Sequence, residues 1–173
     1  MFRHAIYTFA FVLSFTAAQA EKAENYFSVS GVIDATLDYD SESLFDVSID
    51  SGFILSYGLK ATDMSAFEVA YIRYIDTSSF GGEVAAEVTA VEFSGLFKAG
   101  DTGPFLRLGL SDGDLSSRVG SAVLNESERG ALIGFGIDMP IANNKGAIRF
   151  EYTTIGYDNA DADRLSVGTL VRF

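Results

Sequence analysis

The sequence predicts an all-β fold: an eight-stranded antiparallel up-and-down transmembrane β-barrel that follows an N-terminal signal peptide. Three observations predict it. Apolar residues recur at every second position in eight segments, the connections between these segments alternate in length, and charged residues share a face with small residues rather than with bulky apolar ones. A period of two indicates a strand with two different faces. The length of 173 residues suits one domain.

Residues 1–20 have the pattern of a secretory signal peptide. Arg3 precedes an apolar run at 5–15, and the small residues at 16–20 provide a cleavage site before Glu21. The apolar run is shorter than the roughly 20 residues that a membrane-spanning helix needs. We therefore expect residues 21–173 to form the mature domain, and no later segment is apolar for long enough to span a bilayer as a helix.

The first predicted strand runs from Phe27 to Tyr39. Its odd-numbered residues, which include Ala35 and Leu37, form the more apolar face, and its even-numbered residues, which include Asp34, form the more polar face. The same alternation recurs in seven further segments, at 53–59, 67–71, 91–97, 106–110, 131–137, 148–152 and 165–173. The pattern therefore predicts eight strands.

The connections between the predicted strands fall into two classes. Three are tight turns rich in Gly, Asp, Asn and Pro, at 61–65, 99–103 and 140–145. The others are mostly longer or more polar, at 40–46, 77–83, 112–128 and 157–163. Short turns on one rim and larger polar loops on the other are typical of an outer-membrane barrel whose short turns are periplasmic. The even strand count then places both chain ends on the periplasmic side.

The two faces distinguish a membrane barrel from a soluble one. A soluble barrel of the lipocalin type turns its apolar side chains inward around a ligand. Here the charged side chains lie among Gly, Ala and Ser, which suits a narrow lumen, while Phe, Tyr, Leu, Ile and Val occupy the face that suits lipid. We expect a mutually compensating charge network in the lumen, formed by Glu68, Glu92, Arg107, Asp138, Arg149, Glu151 and Arg172.

Several stretches resemble the small outer-membrane β-barrel domain family. They are 65–71, 103–110, 134–138, 147–152 and the terminal 166–173, and together they extend over essentially the whole predicted mature chain. The resemblance implies an OmpA- or OmpX-like barrel in the bacterial outer membrane, with outer-membrane lipids and lipopolysaccharide as its surroundings. It fixes no catalytic residue. Because the sequence ends on the eighth predicted strand, we expect no peptidoglycan-binding domain of the OmpA type, which is a departure from that type.

Phe173 ends the last predicted strand, in which apolar residues alternate up to this terminal aromatic. In proteins that the sequence resembles, such a strand is read by the barrel-assembly machinery, and this implies that Phe173 is an assembly signal. The alternative is that Phe173 is one member of the aromatic girdle at the bilayer rim.

The composition excludes several function classes. The sequence has 24 acidic and 12 basic residues, and because residues 1–20 contain Arg3 as their one charged side chain, their removal changes the net charge from −12 to −13. Nucleic acid is therefore excluded as a partner, since a binder needs clustered Lys and Arg. With no cysteine, the chain has no thiolate nucleophile and no Cys-based metal site.

We predict no catalytic residue, no cofactor and no metal site. The one histidine, His4, lies in the signal peptide, so nucleophilic chemistry lacks its usual base, and four serines are interpreted as loop residues: Ser41, Ser43, Ser116 and Ser117. The run from Asp38 to Ile49 lacks the Gly and the final Glu of an EF-hand loop. A second acidic loop contains Asp158, Asp161 and Asp163. It indicates either solvated charge or weak binding of divalent cations near lipopolysaccharide phosphates.

The function that the sequence predicts is a structural or surface-interaction role for a barrel with a side-chain-filled lumen and acidic external loops. A small porin-like or ligand-binding transport barrel is the alternative, and a lipid-modifying enzyme is the third hypothesis. Eight strands leave an interior just wide enough for side chains, which favours the first of the three. The sequence names no external ligand.

Overall fold

A computed structural model describes residues 24–39, 47–49, 51–76, 84–100, 102–119, 122–141, 145–158 and 160–173. The predicted signal peptide lies outside these ranges. The described part contains nine strands: β1 (Asn25–Tyr39), β2 (Val47–Ile49), β3 (Gly52–Thr62), β4 (Ser65–Asp76), β5 (Val84–Lys98), β6 (Gly103–Val119), β7 (Ala122–Ile141), β8 (Gly146–Tyr157) and β9 (Ala160–Arg172). None of the described segments forms an apolar helix of membrane-spanning length.

The strands form one closed antiparallel sheet. Each of β3 to β9 pairs with its neighbour in the chain, β1 pairs with β3, and β1 also pairs with β9, which closes the barrel. β2 continues the register of β3 along β1, since Ile49 lies opposite Ala35 and Gly52 lies opposite Val32. β2 and β3 therefore occupy a single strand position in the barrel, and we call each such position a wall. The nine strands form eight walls, so the predicted eight-stranded antiparallel barrel is confirmed.

The outside of the barrel is apolar. Large apolar side chains point away from the lumen on every wall; Leu110 is 65% exposed and Phe135 is 64% exposed. Toward the ends of the strands opposite the short turns, this apolar surface gives way to outward-facing charged residues: Asp34, Arg73, Asp112, Arg129 and Asp163. On β6 the apolar band extends from Pro104 to Leu110, roughly 20 Å along the strand. An apolar exterior around a polar interior is the arrangement that hydrocarbon requires.

The prediction for the upper half of β1 was wrong. The register between β1 and β9 shifts between Val32 and Asp34, which inserts one residue into β1. Such a bulge reverses which residues face inward. Ala35 and Leu37 are therefore buried in the lumen, although the alternation from Phe27 placed them outside, and Asp34 is exposed rather than internal.

Two of the predicted long loops are largely strand. Segment 112–128 is a hairpin in which β6 and β7 stay paired up to Val119 and Ala122, and this places Ser116 and Ser117 on a strand rather than in a loop. Likewise, β9 begins at Ala160, so Asp161 and Asp163 are strand residues. Ser41, Ser43 and segment 77–83 lie outside the described residues.

The β6–β7 hairpin extends beyond β8 on one side, while β5 on the other side stays paired with β6 up to Val84 and Val119. Pairing of β7 with β8 ends at Gly130 and Tyr157, while β6 and β7 remain paired for the residues 122–129. Eight residues of strand correspond to roughly 27 Å. We call this rim the long-loop end, and the opposite rim, where residues 63–64 and 99–100 lie, the short-turn end.

Side chains fill the described part of the lumen in two apolar clusters. The lower cluster, near the short-turn end, contains Tyr26, Ala66, Leu96, Phe105, Ala147 and Leu170. The upper cluster contains Val32, Ala35, Ile54, Ala70, Ile72, Tyr74 and Ala90. Glycine makes room for the rings: a Cβ added at Gly58 would lie 2.0 Å from Tyr26 Cζ, and one at Gly136 would lie 2.5 Å from Phe105 Cζ.

Candidate functional site: the charged lumen

Charged side chains enter the lumen beside the two apolar clusters. They come from inward positions of β4 to β9, which alternate with the lipid-facing positions described above. Apart from Lys98, which is partly buried, each is almost fully buried, with Glu92 0% exposed and Arg107 3% exposed. A buried charge is strongly unfavourable unless it is paired and hydrogen-bonded, so the contacts of each group determine whether the arrangement is stable.

Glu68 on β4 is the centre of the larger cluster. Its Oε2 accepts hydrogen bonds from the Tyr26 hydroxyl at 2.8 Å and from Arg149 Nη1 at 2.8 Å. Its Oε1 accepts one from Arg107 Nη2. Glu68 thereby joins strands β1, β6 and β8 across the interior.

Arg107 on β6 connects Glu68 to Glu151 on β8. Arg107 Nη2 donates to Glu151 Oε2 at 3.0 Å, and Arg107 Nη1 donates to Ser94 Oγ at 3.1 Å. Arg107 Nε lies 2.6 Å from Glu151 Oε1 but at an angle that is not a hydrogen bond, so the contact is an ion pair only. The Thr153 hydroxyl donates to Glu151 Oε1 at 3.0 Å.

Asp138 on β7 completes the cluster at the short-turn side. Arg149 binds it with both Nε, at 2.7 Å, and Nη2, at 3.0 Å, which is the strong bidentate geometry. Lys98 Nζ donates to Asp138 Oδ2 at 2.9 Å. The Arg149 guanidinium also lies 4.8 Å from the centre of the Phe105 ring, a cation–π distance.

These residues define the lower network: Tyr26, Glu68, Lys98, Arg107, Asp138, Arg149 and Glu151. It contains three carboxylates and three cations, so its formal charge is zero. The balance allows all six charges to stay buried, because each has at least one partner of opposite sign.

A second, smaller group lies nearer the long-loop end. Arg164 on β9 binds Glu92 on β5 with two parallel hydrogen bonds, Nη1 to Oε1 at 2.8 Å and Nη2 to Oε2 at 3.0 Å. Arg164 Nη1 also donates to the Tyr74 hydroxyl at 3.1 Å. We call Arg164 and Glu92 the upper pair, and Tyr74 is its hydrogen-bonded neighbour. The formal charge of the upper pair is zero, as it is for the lower network.

The structure divides the seven residues predicted for the lumen network into three places. Five of them belong to the lower network, whereas Glu92 forms the upper pair. Arg172 lies farther down, on the wall of a hollow at the short-turn end that is lined by Glu24, Tyr26, Lys60, Asp63, Lys98 and Arg172. The sequence analysis missed the buried cations Lys98 and Arg164. Both follow the alternation of their strands, one position beyond the segments used for the prediction.

The rim of this hollow is exposed and loosely paired. Lys60 Nζ lies 2.9 Å from Asp63 Oδ1 and 3.8 Å from Glu24 Oε2. The hydrogen bond and charge of Lys60 lower the pKa of the Asp63 carboxyl below its ordinary value. Asp63 is fully exposed, so this surface contact contributes little to stability.

Phe173 lies at the same rim, with its side chain 67% exposed. Its backbone N–H donates to the Asn25 carbonyl at 2.9 Å, and its carbonyl accepts from the Asn25 N–H at 3.1 Å. Phe173 thus takes part in closing β1 against β9. Its role as an assembly signal stays a prediction.

Negative charge is concentrated at the long-loop end. Among the exposed or partly exposed side chains that the structure describes there, two cations, Arg73 and Arg129, lie with eight acids: Asp34, Asp38, Asp112, Asp114, Glu128, Asp158, Asp161 and Asp163. Across the same described part of the chain, no group of three or more His, Cys, Asp and Glu residues is arranged to hold a metal ion.

Comparison with known proteins identifies the fold. No family model matches the sequence, and no curated protein matches it. The chain is similar to solved structures, among them Ail, the attachment invasion locus protein of Yersinia pestis, with 13% identity, a TM-score of 0.66 and coverage of 87% of this chain and 99% of Ail. For Neisserial surface protein A the values are 19%, 0.69, 86% and 97%.

The N-terminal β-barrel domain of Pseudomonas aeruginosa OprF is a third similar structure, with 15% identity, a TM-score of 0.58 and coverage of 88% of this chain and 100% of that domain. At these identities the likeness establishes the fold. The chain therefore has the fold of the small eight-stranded outer-membrane β-barrels, as its sequence predicted.

Proposed function

We propose that the protein is a bacterial outer-membrane barrel with a closed lumen, and that its role is structural or lies in surface interaction at the long-loop end. The observation that carries the proposal is the filled interior. Two apolar clusters and two neutral groups of paired charges occupy the space inside the eight walls. Eight-stranded barrels have just enough interior for such side chains.

The apolar exterior supports the proposed location. Residues 1–20 direct the chain across the inner membrane as a cleaved signal peptide, and the barrel-assembly machinery then inserts the domain among outer-membrane lipids and lipopolysaccharide. The outward-facing charged residues beyond the apolar band, which include Asp34, Arg73 and Asp163, lie at the level of the outer head groups.

The long-loop end is the proposed interaction surface. The paired ends of β5, β6 and β7 extend beyond β8 there, and the excess of acids favours cationic partners over polyanions. Ail has been solved in complex with the heparin analogue sucrose octasulfate. The acidic surface of the present chain favours a partner of the opposite charge from that ligand.

A non-enzymatic role agrees with the residues of the barrel. Surface-barrel hydrolases need a base beside their nucleophile, and the single histidine of the sequence is His4, in the predicted signal peptide. The buried carboxylates of the lumen are each held by cations or hydroxyl groups rather than left available to a substrate.

Fractionation and conductance test the two parts of the proposal. The protein is expected in the outer-membrane fraction, and full solubility in a detergent-free periplasmic extract would contradict the location. Purified protein inserted into planar bilayers is expected to give no stable conductance steps, with a 16-stranded porin as the positive control in the same membranes. Reproducible steps from the wild-type protein would favour the porin-like alternative.

A further inference from the structure

The seam between the first and last strands consists of two unlike parts. Backbone pairing of β1 with β9 begins at Tyr26 and Arg172, and it ends at Tyr39 and Ala160. The register shift between Val32 and Asp34 divides it. We call the part from the shift to the long-loop end the upper seam (34–39 with 160–165), and the rest the lower seam (26–32 with 166–172).

The lower seam is continuous and tightly packed. A Cβ added at Gly168 would lie 2.0 Å from Ser30 Oγ and 2.4 Å from the Val29 carbonyl oxygen, so the two strands approach closely there. The reciprocal backbone hydrogen bonds between Asn25 and Phe173 extend the pairing to the rim. No two residues of like charge lie opposite each other in the lower seam.

The upper seam combines a bulge with like charges. Asp38 lies directly opposite Asp161, and both side chains are exposed on the outer face. Asp34 and Asp163 lie on the same face of the two strands. Like charges directly opposite each other destabilise a strand pair, and a bulge locally disrupts its ladder. By itself, this part of the sheet is predisposed to separate.

Arg164 counteracts this from the inside. It lies opposite Ala35 in the upper seam, next to the bulge, and its guanidinium reaches across the lumen to Glu92 and Tyr74. β5, which carries Glu92, is four walls from β9 in either direction around the barrel. The bidentate ion pair therefore holds β9 toward the lumen. β9 is also the strand whose outer acids are repelled by the acids of β1.

We propose that Arg164 is a latch that holds the upper seam closed, and that the upper seam opens as a local unit when the latch is released. The seam is then a hinged section of the wall, with the lower seam as its fixed end. Opening would connect the upper apolar cluster, which includes Val32 and Ala35 of β1, with the head-group layer and solvent outside the wall.

Amide hydrogen exchange of the protein in lipid nanodiscs tests the latch. The main variant is Arg164→Met, which releases the latch and leaves Glu92 buried without this ion pair. Exchange at 34–39 and 160–165 is expected to accelerate by at least about tenfold, because removing one partner of a buried ion pair is strongly destabilising, while exchange at 26–32 and 166–172 changes little. The matched control is Arg107→Met, which also leaves a buried carboxylate and is expected to accelerate exchange in all walls alike.

A second variant acts on the opposing force and leaves the latch intact. Asp161→Asn removes one of the two facing charges on the surface and is expected to slow exchange in the upper seam. Acceleration that is uniform over the barrel in Arg164→Met would overturn the latch. So would unchanged exchange at 34–39 in Asp161→Asn, and this measurement decides the question even where Arg164→Met fails to fold.

Discussion

Arg107 provides the most direct measurement of what the lower network contributes. Its guanidinium serves Glu68, Glu151 and Ser94 while 3% of the residue is exposed. Arg107→Met keeps most of the side-chain volume, so the cavity contribution is small. It leaves Glu151 buried with the Thr153 hydroxyl as its remaining hydrogen-bond donor among the contacts described above. Removing one partner of a buried ion pair costs about 3–5 kcal/mol, and we expect a loss of this size.

The matched control is Arg129→Met on β7. Arg129 also forms an ion pair, with Asp112 at 3.1 Å, but its side chain is 63% exposed. Such a pair contributes about 0–1 kcal/mol. The free energy of unfolding is measured by urea titration in detergent micelles and followed by far-ultraviolet circular dichroism, because the sequence has no tryptophan. Losses that agree within about 1 kcal/mol for the two variants would refute the reasoning, since burial would then make no difference.

Two further predictions concern packing and assembly. Gly58→Ala places a methyl group 2.0 Å from Tyr26 Cζ and should displace the ring and its hydrogen bond to Glu68, at a cost of about 1–3 kcal/mol in the same titration; Gly31→Ala, where a Cβ meets nothing within 4 Å, is the control and should cost far less. Deletion of Phe173 should sharply lower membrane insertion in cells while refolding into detergent stays efficient; normal cellular insertion would leave Phe173 as a girdle residue only.

Alternation alone predicted most of the fold, because in a membrane barrel every spanning residue must face either lipid or a narrow lumen. For this reason, the inward positions of Glu68, Arg107, Asp138 and Arg149 followed from their neighbours in the chain. The upper half of β1 could not be predicted in this way. A bulge inserts one residue without a compositional signal, so the faces of Ala35 and Leu37 depend on pairing with β9.

The errors at the long-loop end have a different cause. Above the bilayer a strand needs no lipid-facing apolar stripe, and the polar residues of the β6–β7 hairpin therefore looked like a loop. The same mistake concealed Arg164, which stands just before the apolar run of the last strand. Which acid pairs with which base was also beyond prediction, because it depends on the stagger of strands far apart in sequence, such as β9 and β5.

The charges in the lumen are paired and buried, whereas the acids at the long-loop end are exposed. These two parts of the barrel therefore respond differently to salt. Mobile ions screen exposed charges over about 8–10 Å at physiological strength but act much less on buried pairs. Asp138, held by Arg149 and Lys98 in the lumen, is shielded from them, whereas Asp112 and Asp161 face solvent or head groups. A change in the ionic composition of the surroundings thus alters the range at which the long-loop end attracts cations, while the barrel that carries those acids keeps its own stability.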